Sequence, residues 1–262
     1  MATALLCSRT GRFRFYDRSP WLPGATPLIR WSAYRTMPEL RYLRASYISM
    51  GAIPLNIFPP LRVLALYWAN GCDVIVRNSY HSLTSLTLGL ISFWYTSEFL
   101  EFPSLRFLSL FDVENLKHRM NVPALTTYHE SGRIEEESFF VSLPSLIEYG
   151  TLRLDNESPL NVTKLYQCYP NISRLSLRAR SSDVKLLLHS LSRQPTTLPM
   201  LRKLAVGPIY NFMGYSGEDK DSMRNDVFMR NMASSVKMEL CFDGRARVPL
   251  CFGDVRVYIN KS

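Results

Sequence analysis

The sequence predicts an α/β solenoid, in which short repeats stack so that their strands form one parallel sheet and the connecting segments cover one side of it. Two observations lead to this prediction. A short apolar phrase recurs at intervals of roughly 20 to 29 residues along the chain. Within each copy, apolar and other residues alternate. This alternation has the two-residue period of a strand with one buried face.

The clearest copy of the phrase is residues 103–110, which read Pro-x-Leu-x-x-Leu-x-Leu. Similar copies begin at Pro60, Pro170 and Pro199, and weaker copies begin at Leu40, Leu83, Leu125 and Leu146. Leu-x-x-Leu-x-Leu at this spacing is the signature of a leucine-rich repeat. The predicted fold class is therefore a leucine-rich-repeat solenoid, with a curved parallel sheet on the concave side and helices and irregular segments on the convex side. The alternative is an unrelated α/β protein with leucine-rich strands.

The repeat pattern places the expected elements along the chain. Strands are expected near residues 40–45, 61–66, 83–88, 105–110, 125–130, 146–151, 172–177 and 201–206. Further strands are expected at 12–16, 236–240 and 255–259, and helices within 130–141, 182–191 and 226–234. Asp183 is expected to cap the second of these helices. Leu108 and Leu175 are expected in the core, and His189 is expected to be a partly exposed helix residue.

The domain organisation follows from where the phrase begins. Residues 1–36 carry no copy of it and contain several prolines, which predicts an irregular, basic N-terminal lead-in. Residues 37–262 are expected to form the solenoid, with a C-terminal cap from about residue 208. We expect the lead-in to be the least ordered part and its first 24 residues to be dispensable for thermal stability.

Composition narrows the class of protein. With 262 residues, 47% of them hydrophobic, the chain is long enough for a sizeable core. The five cysteines stand alone, without a Cys-x-x-Cys, which favours a reducing compartment over a disulfide framework. No apolar run approaches the length of a membrane span, and we expect a cytoplasmic or nuclear protein without a membrane partner.

The formal net charge is +9, and the excess of arginine is concentrated in the first part of the chain. Such a segment could meet RNA, an acidic partner or an anionic membrane. The alternative is a basic arm without a specific ligand. We therefore treat nucleic-acid or acidic-partner binding through this arm as the second functional hypothesis, and nucleic acid is not the expected partner.

Motifs for catalysis or cofactor binding are absent from the sequence. It contains no phosphate-binding or dinucleotide-binding glycine loop, no zinc-protease motif and no nucleophile elbow. The four histidines, His81, His118, His129 and His189, fall in different repeats. We therefore expect a non-enzymatic protein without cofactor or metal.

Several phrases together resemble one known family. They are residues 83–88, 102–110, 122–130 and 143–149. In their order they are similar to the leucine-rich-repeat region of F-box proteins from mushroom-forming fungi, and the similarity covers roughly residues 37–206. The resemblance implies that the repeats present a substrate to an SCF-type ubiquitin ligase, whose Skp1-type adaptor binds the F-box.

The F-box itself is not visible in this chain. The family's F-box usually opens with Leu-Pro-x-Glu, whereas Leu22-Pro23 is followed here by Gly24 and Ala25. A Skp1-type adaptor is therefore expected only if an F-box exists outside this chain. The leading functional hypothesis is a protein–protein interaction module, with the substrate-recognition role as its finer form.

The predicted binding surface consists of residues at the third, fifth and seventh positions of the phrase, which should point away from the leucines onto the concave face. Its residues are Tyr42, Arg44, Tyr67, Phe107, Phe111, His129, Glu148, Arg174, Arg178 and Lys203. Aromatic residues prevail in the earlier repeats and cations in the later ones, and aromatic residues and arginine are enriched in interfaces. The alternative is that a neighbouring loop or the lead-in covers Phe107 and Phe111.

Overall fold

The structure, a computed structural model, describes residues 6–8, 12–16, 40–49, 59–70, 73–91, 99–111, 113, 120–132, 143–153, 162–207 and 215–242. The chain divides into two compact units, Met1–Leu146 and Ile147–Ser262. We call them the N-terminal unit and the C-terminal unit. The predicted domain boundary near residue 36 stays a prediction.

The N-terminal unit is built around a sheet whose strands follow one another in chain order. The strands are β1 (Leu6–Ser8), β2 (Arg12–Tyr16), β3 (Tyr42–Ser49), β4 (Val63–Asn70), β5 (Ser85–Gly89), β7 (Phe107–Phe111) and β9 (Thr127–Gly132). All neighbours pair in parallel except β1 and β2. Helix α1 (Asp73–Ser79) connects β4 to β5, and β6 (Leu100–Glu101) pairs in parallel with β8 (Met120–Asn121).

The C-terminal unit has the same kind of arrangement, and two of its three helices are longer than α1. Its strands are β10 (Glu148–Arg153), β11 (Arg174–Arg178), β12 (Lys203–Gly207) and β13 (Glu239–Phe242), paired in parallel in that order. Its helices are α2 (Val162–Cys168), α3 (Ser181–Arg193) and α4 (Gly217–Ala233), one before each of β11, β12 and β13. Both units thus confirm the coarse prediction of a parallel-strand α/β solenoid. No helix in the described ranges is long and apolar enough to cross a membrane.

All eight strands predicted from the phrase are present, and each begins two residues later than predicted. The reason lies in the first leucine of the phrase, which is buried but precedes the strand. Leu61 and Leu105 show this, since both are fully buried and lie before β4 and β7. The first leucine therefore anchors a bend under the sheet, and the two-residue alternation begins after it.

One backbone contact recurs at six junctions between neighbouring repeats. We call the residue directly before each strand the pre-strand residue. The carbonyl of Arg41 accepts hydrogen bonds from the backbone N–H groups of Arg62 and Val63, at 2.9 and 3.0 Å. The carbonyls of Arg62, Thr84, Arg106, Ile147 and Ser173 each accept the same pair of bonds from the next repeat. This double acceptance fixes the register and satisfies the N–H groups that the bend would otherwise leave unpaired.

Hydroxyl side chains reinforce these bends. Thr84 and Thr126 are themselves pre-strand residues, and each hydroxyl donates to the preceding pre-strand carbonyl, at 3.1 and 3.0 Å. At the end of α1, the Ser79 hydroxyl accepts from the Leu61 N–H at 3.1 Å, and the Ser82 hydroxyl donates to the Leu61 carbonyl at 2.7 Å. Short hydroxyl side chains therefore satisfy backbone groups at these turns.

The helices differ from the prediction in three respects. α1 and α2 were not predicted. Helix α3 has Arg180 as its N-cap and makes no side-chain capping bond, so Asp183 lies inside the helix and is not its cap. Helix α4 begins at Gly217, well before the predicted residue 226, because the Ser216 hydroxyl accepts the N–H of Asp219 at 3.0 Å and caps its first turn. The predicted strand at 255–259 and most of the predicted helix at 130–141 lie outside the described residues.

The cores are mainly apolar and include a few polar residues, among them Glu130, Thr151 and Arg230. Leu108 and Leu175 are buried, as predicted. In β9, however, Tyr128 and Glu130 take the two core positions that leucines hold in β7. The Tyr128 hydroxyl donates to the Glu130 carboxylate at 2.7 Å, which gives the buried carboxylate one of the hydrogen bonds it requires.

A buried arginine fixes the last turn of the C-terminal unit. Arg230 of α4 has no exposed surface, and its guanidinium donates to the carbonyls of Leu198, Leu201 and Val236 at 3.2 to 3.4 Å. Burial lowers the pKa of Arg230, but an arginine remains charged in proteins. Leu198 needs this support because its φ of 52° lies in the left-handed region that non-glycine residues rarely adopt.

Replacing Leu108 by alanine should lower the free energy of unfolding by about 2 to 5 kcal/mol, because it leaves a cavity in a closely packed core. Leu186→Ala is the matched control, since Leu186 is 52% exposed on α3 and its truncation should change stability little. Urea unfolding followed by circular dichroism measures both. Equal effects of the two substitutions would contradict the assignment of Leu108 to the core.

Deleting residues 1–16 should lower the melting temperature by several degrees. This prediction is opposite to the sequence-based expectation of a dispensable lead-in, because β2 pairs along its whole length with β3. The deletion would leave one edge of β3 without its hydrogen-bonding partner. Differential scanning calorimetry of the full and shortened chains tests this, and an unchanged melting temperature would support the original expectation.

Replacing Arg230 by alanine should cost about 2 to 4 kcal/mol, because three buried carbonyls lose their donor. Arg193→Ala provides the control, since Arg193 is exposed at the end of α3. Chemical denaturation of both variants gives the comparison. A loss at position 230 no larger than that at position 193 would show that the guanidinium is not the support of this turn.

Candidate interaction surface

The face of each sheet opposite to the leucine core, which we call the outer face, carries its side chains in rows. In the N-terminal unit, parallel register aligns Tyr42, Val63, Ser85, Phe107 and Thr127 in a first row and Arg44, Ala65, Thr87, Ser109 and His129 in a second. Tyr67, Gly89 and Phe111 align in a third row. Neighbouring members of a row are about 4.8 Å apart, the spacing of strands in a sheet.

Four of the five members of the second row are buried although they lie on the outer face, whereas Arg44 is half-buried. Ala65, Thr87 and Ser109 are at most 9% exposed, and His129 is 2% exposed. The side chains of Ala65, Thr87 and Ser109 are short. The side chain of His129 is held by a neighbour in the first row. The rings of Phe107 and His129 meet edge to face, with centroids 5.4 Å apart. His129 therefore positions Phe107 on this face.

The third row is shaped by one glycine. A Cβ atom at Gly89 would lie 2.7 Å from Cδ1 of Tyr67, so the Tyr67 ring occupies the space that a side chain at Gly89 would need. The guanidinium carbon of Arg44 lies 5.9 Å from the centroid of the same ring, within the range of a cation–π contact. Tyr67 is consequently only 2% exposed.

The six predicted site residues of this unit therefore divide into two groups. Tyr42, Arg44, Phe107 and Phe111 are half-buried and present part of their surface on the outer face. For Tyr67 and His129 the prediction of an exposed side chain is wrong. Both point to the predicted face, but Arg44 and Gly89 surround the first and Phe107 packs against the second.

In the C-terminal unit, the first row consists entirely of charged residues. Parallel register aligns Glu148, Arg174, Lys203 and Glu239 on four successive strands. Arg174 and Glu148 form an ion pair at 3.2 Å, and the Arg174 side chain remains 63% exposed. Lys203 is exposed, and no described residue forms an ion pair or hydrogen bond with its ammonium group.

The second row of this unit consists of small residues, and the third row contains Leu152, Arg178 and Gly207. Gly150, Ser176, Ala205 and Cys241 align in the second row. Arg178 stands in the third row beside Gly207 and is half-buried. On the outer face, the small residues of the second row therefore separate Arg178 from the charged row. All four predicted site residues of this unit occupy the predicted face.

Glu239 is a member of the charged row that sequence reasoning missed. A strand was predicted at residues 236–240, but β13 begins at Glu239 and places that residue beside Lys203. The alternation of Leu240 and Phe242 matches the two buried positions of the phrase and is the signal that could have located it. The described residues contain no group of three or more potential metal ligands.

Comparisons with protein-family models, with curated proteins and with solved structures found no match for this chain. The class of the protein, a parallel-strand α/β solenoid, is therefore defined by its own geometry.

Proposed function

We propose that this chain is a non-enzymatic protein–protein interaction module of the leucine-rich-repeat type, and that it binds a protein partner on the outer faces of its sheets. The observation that carries the proposal is the charged row of the C-terminal unit. It offers exposed cations on adjacent strands, Arg174 and Lys203, between two glutamates. A partner protein whose charged residues follow in the opposite order of sign can recognise such a row.

The register supplies the physical basis for specificity. Each side chain of the row is held at a fixed strand spacing by a paired backbone, so little backbone conformational entropy is lost when a partner binds. Charge order along the row favours one register of the partner, because like charges placed opposite each other cost free energy. Arg178 adds a second cation site on the same face.

The N-terminal unit offers a different chemistry on its outer face. Tyr42, Phe107 and Phe111 are half-buried aromatic residues, and the edge-to-face contact with His129 holds Phe107 in place. A partly buried aromatic side chain can anchor a partner at low entropic cost. We propose that this unit takes an apolar anchor and the C-terminal unit takes an acidic group.

The finer form of the proposal is substrate recognition for an SCF-type ubiquitin ligase. It is supported by the resemblance of the repeat phrases to fungal F-box proteins, and it requires a Skp1-type adaptor bound by an F-box outside this chain. The second hypothesis, binding of nucleic acid or an acidic partner through residues 1–36, stays a prediction. The structure describes only β1 and β2 of that segment.

Affinity purification with mass spectrometry should identify a protein partner. The presence or absence of Skp1 in the purified material tests the finer form of the proposal, substrate recognition for a ubiquitin ligase. With that partner, Phe107→Ala and Arg178→Glu should each weaken binding by more than about 1 kcal/mol, because each removes a contact of the outer face. Isothermal titration calorimetry gives the dissociation constants, and circular dichroism confirms that the variants are folded.

Arg193→Glu on helix α3 is the control, since it introduces the same charge change away from the sheet. It should leave the dissociation constant unchanged. If both outer-face variants fold and bind as the parent chain does while the α3 variant loses binding, the partner contacts the helices and the proposal is wrong.

A further inference from the structure

A further row of residues, which includes three arginines, lies on the N-terminal unit away from the outer face. It is formed by pre-strand residues, which stand at the edge of the sheet where the strands begin. Backbone hydrogen bonds join them directly, from Arg62 to Arg41, from Thr84 to Arg62 and from Arg106 to Thr84. Arg41, Arg62 and Arg106 therefore project from one edge, which we call the pre-strand edge.

The three arginines of the pre-strand edge are exposed. One Nη atom of Arg41 donates to the carbonyl of Leu40 at 3.1 Å, so that guanidinium is partly engaged. Arg62 and Arg106 make no side-chain hydrogen bond or ion pair within the described part of the chain. Two always-charged groups thus face solvent at fixed positions.

The spacing of the row follows from the sheet. Arg41 and Arg62 stand on neighbouring strands, about 4.8 Å apart at their Cα atoms, and Arg106 stands two strands beyond Arg62, at about twice that distance. Thr84 lies between Arg62 and Arg106, and its hydroxyl already donates a hydrogen bond to the Arg62 carbonyl. The edge therefore offers planar guanidinium groups with little competing hydrogen bonding.

We propose that the pre-strand edge is a binding site for an acidic segment of a partner protein, with Arg62 and Arg106 each holding a carboxylate. Guanidinium groups bind carboxylates through two parallel hydrogen bonds, which gives direction as well as charge. A protein segment is favoured over nucleic acid because only three arginines line the edge, whereas nucleic-acid sites neutralise many phosphates and add stacking aromatic residues. This site is separate from the outer face and does not depend on the function proposed for it.

The test uses the full chain and two labelled peptides, one rich in glutamate and one with glutamine in place of every glutamate. Fluorescence anisotropy at low salt should show binding of the glutamate peptide alone. The double variant Arg62→Glu/Arg106→Glu should weaken that binding at least about tenfold, because two charge-assisted contacts become repulsive. Circular dichroism and thermal unfolding verify that the variant is folded.

A matched double variant separates a site from a general charge effect. Arg180→Glu/Arg193→Glu makes the same charge change at two exposed arginines of the C-terminal unit. It should leave peptide binding within about twofold of the parent, because a site acts through its own contacts and not through net charge. An equal loss in both double variants would overturn the proposal.

Two further arms complete the experiment. Arg62→Lys/Arg106→Lys keeps the charge but removes the paired hydrogen bonds, and we expect an intermediate loss of peptide affinity. A single-stranded DNA of the same charge as the peptide tests the other class of partner. If that DNA binds more tightly than the peptide and its binding depends on Arg62 and Arg106, the edge is a nucleic-acid site and the proposal is wrong.

Discussion

The structure depends on one backbone contact, the double hydrogen bond that six of the pre-strand carbonyls accept from the next repeat. A strand of five residues with one apolar face is not stable alone, and it gains stability only beside a neighbour in fixed register. The carbonyl of Arg41 or Ser173 provides that register before the strand ladder begins. Because the same contact recurs in both units, side chains at equal positions of the phrase come to lie in straight rows.

The rows explain why side chains of one chemical type lie next to one another on the surface. A residue type repeated at one position of the phrase becomes a stripe, as the pre-strand arginines and the charged row of Glu148, Arg174 and Lys203 show. A small residue at the seventh position lets a larger neighbour lean over it, so the outer face is uneven. Gly89 is the clearest case, since its missing side chain leaves room for the ring of Tyr67.

Polar groups inside the units mark where the repeat is imperfect. In β9 the pair Tyr128 and Glu130 replaces two leucines, and in the C-terminal unit the guanidinium of Arg230 replaces an apolar contact under the last turn. Burial of such groups is costly unless hydrogen bonds compensate. A leucine core tolerates the exchange of one apolar residue for another. These polar groups nevertheless make the fold depend on a few specific residues.

The sequence by itself determined the existence and direction of every strand of the phrase, its start to within two residues, and the face on which each predicted site residue lies. Two-residue alternation and a constant spacing are local properties that a single chain displays. Only the tertiary structure decided which of those residues are accessible. Tyr67 and His129 are buried by Arg44, Gly89 and Phe107, residues that are 20 or more positions away in the chain and adjacent only across strands. The burial of Arg230 likewise depends on contacts with distant segments, because helix α4 is polar and carries no apolar period that a sequence could show.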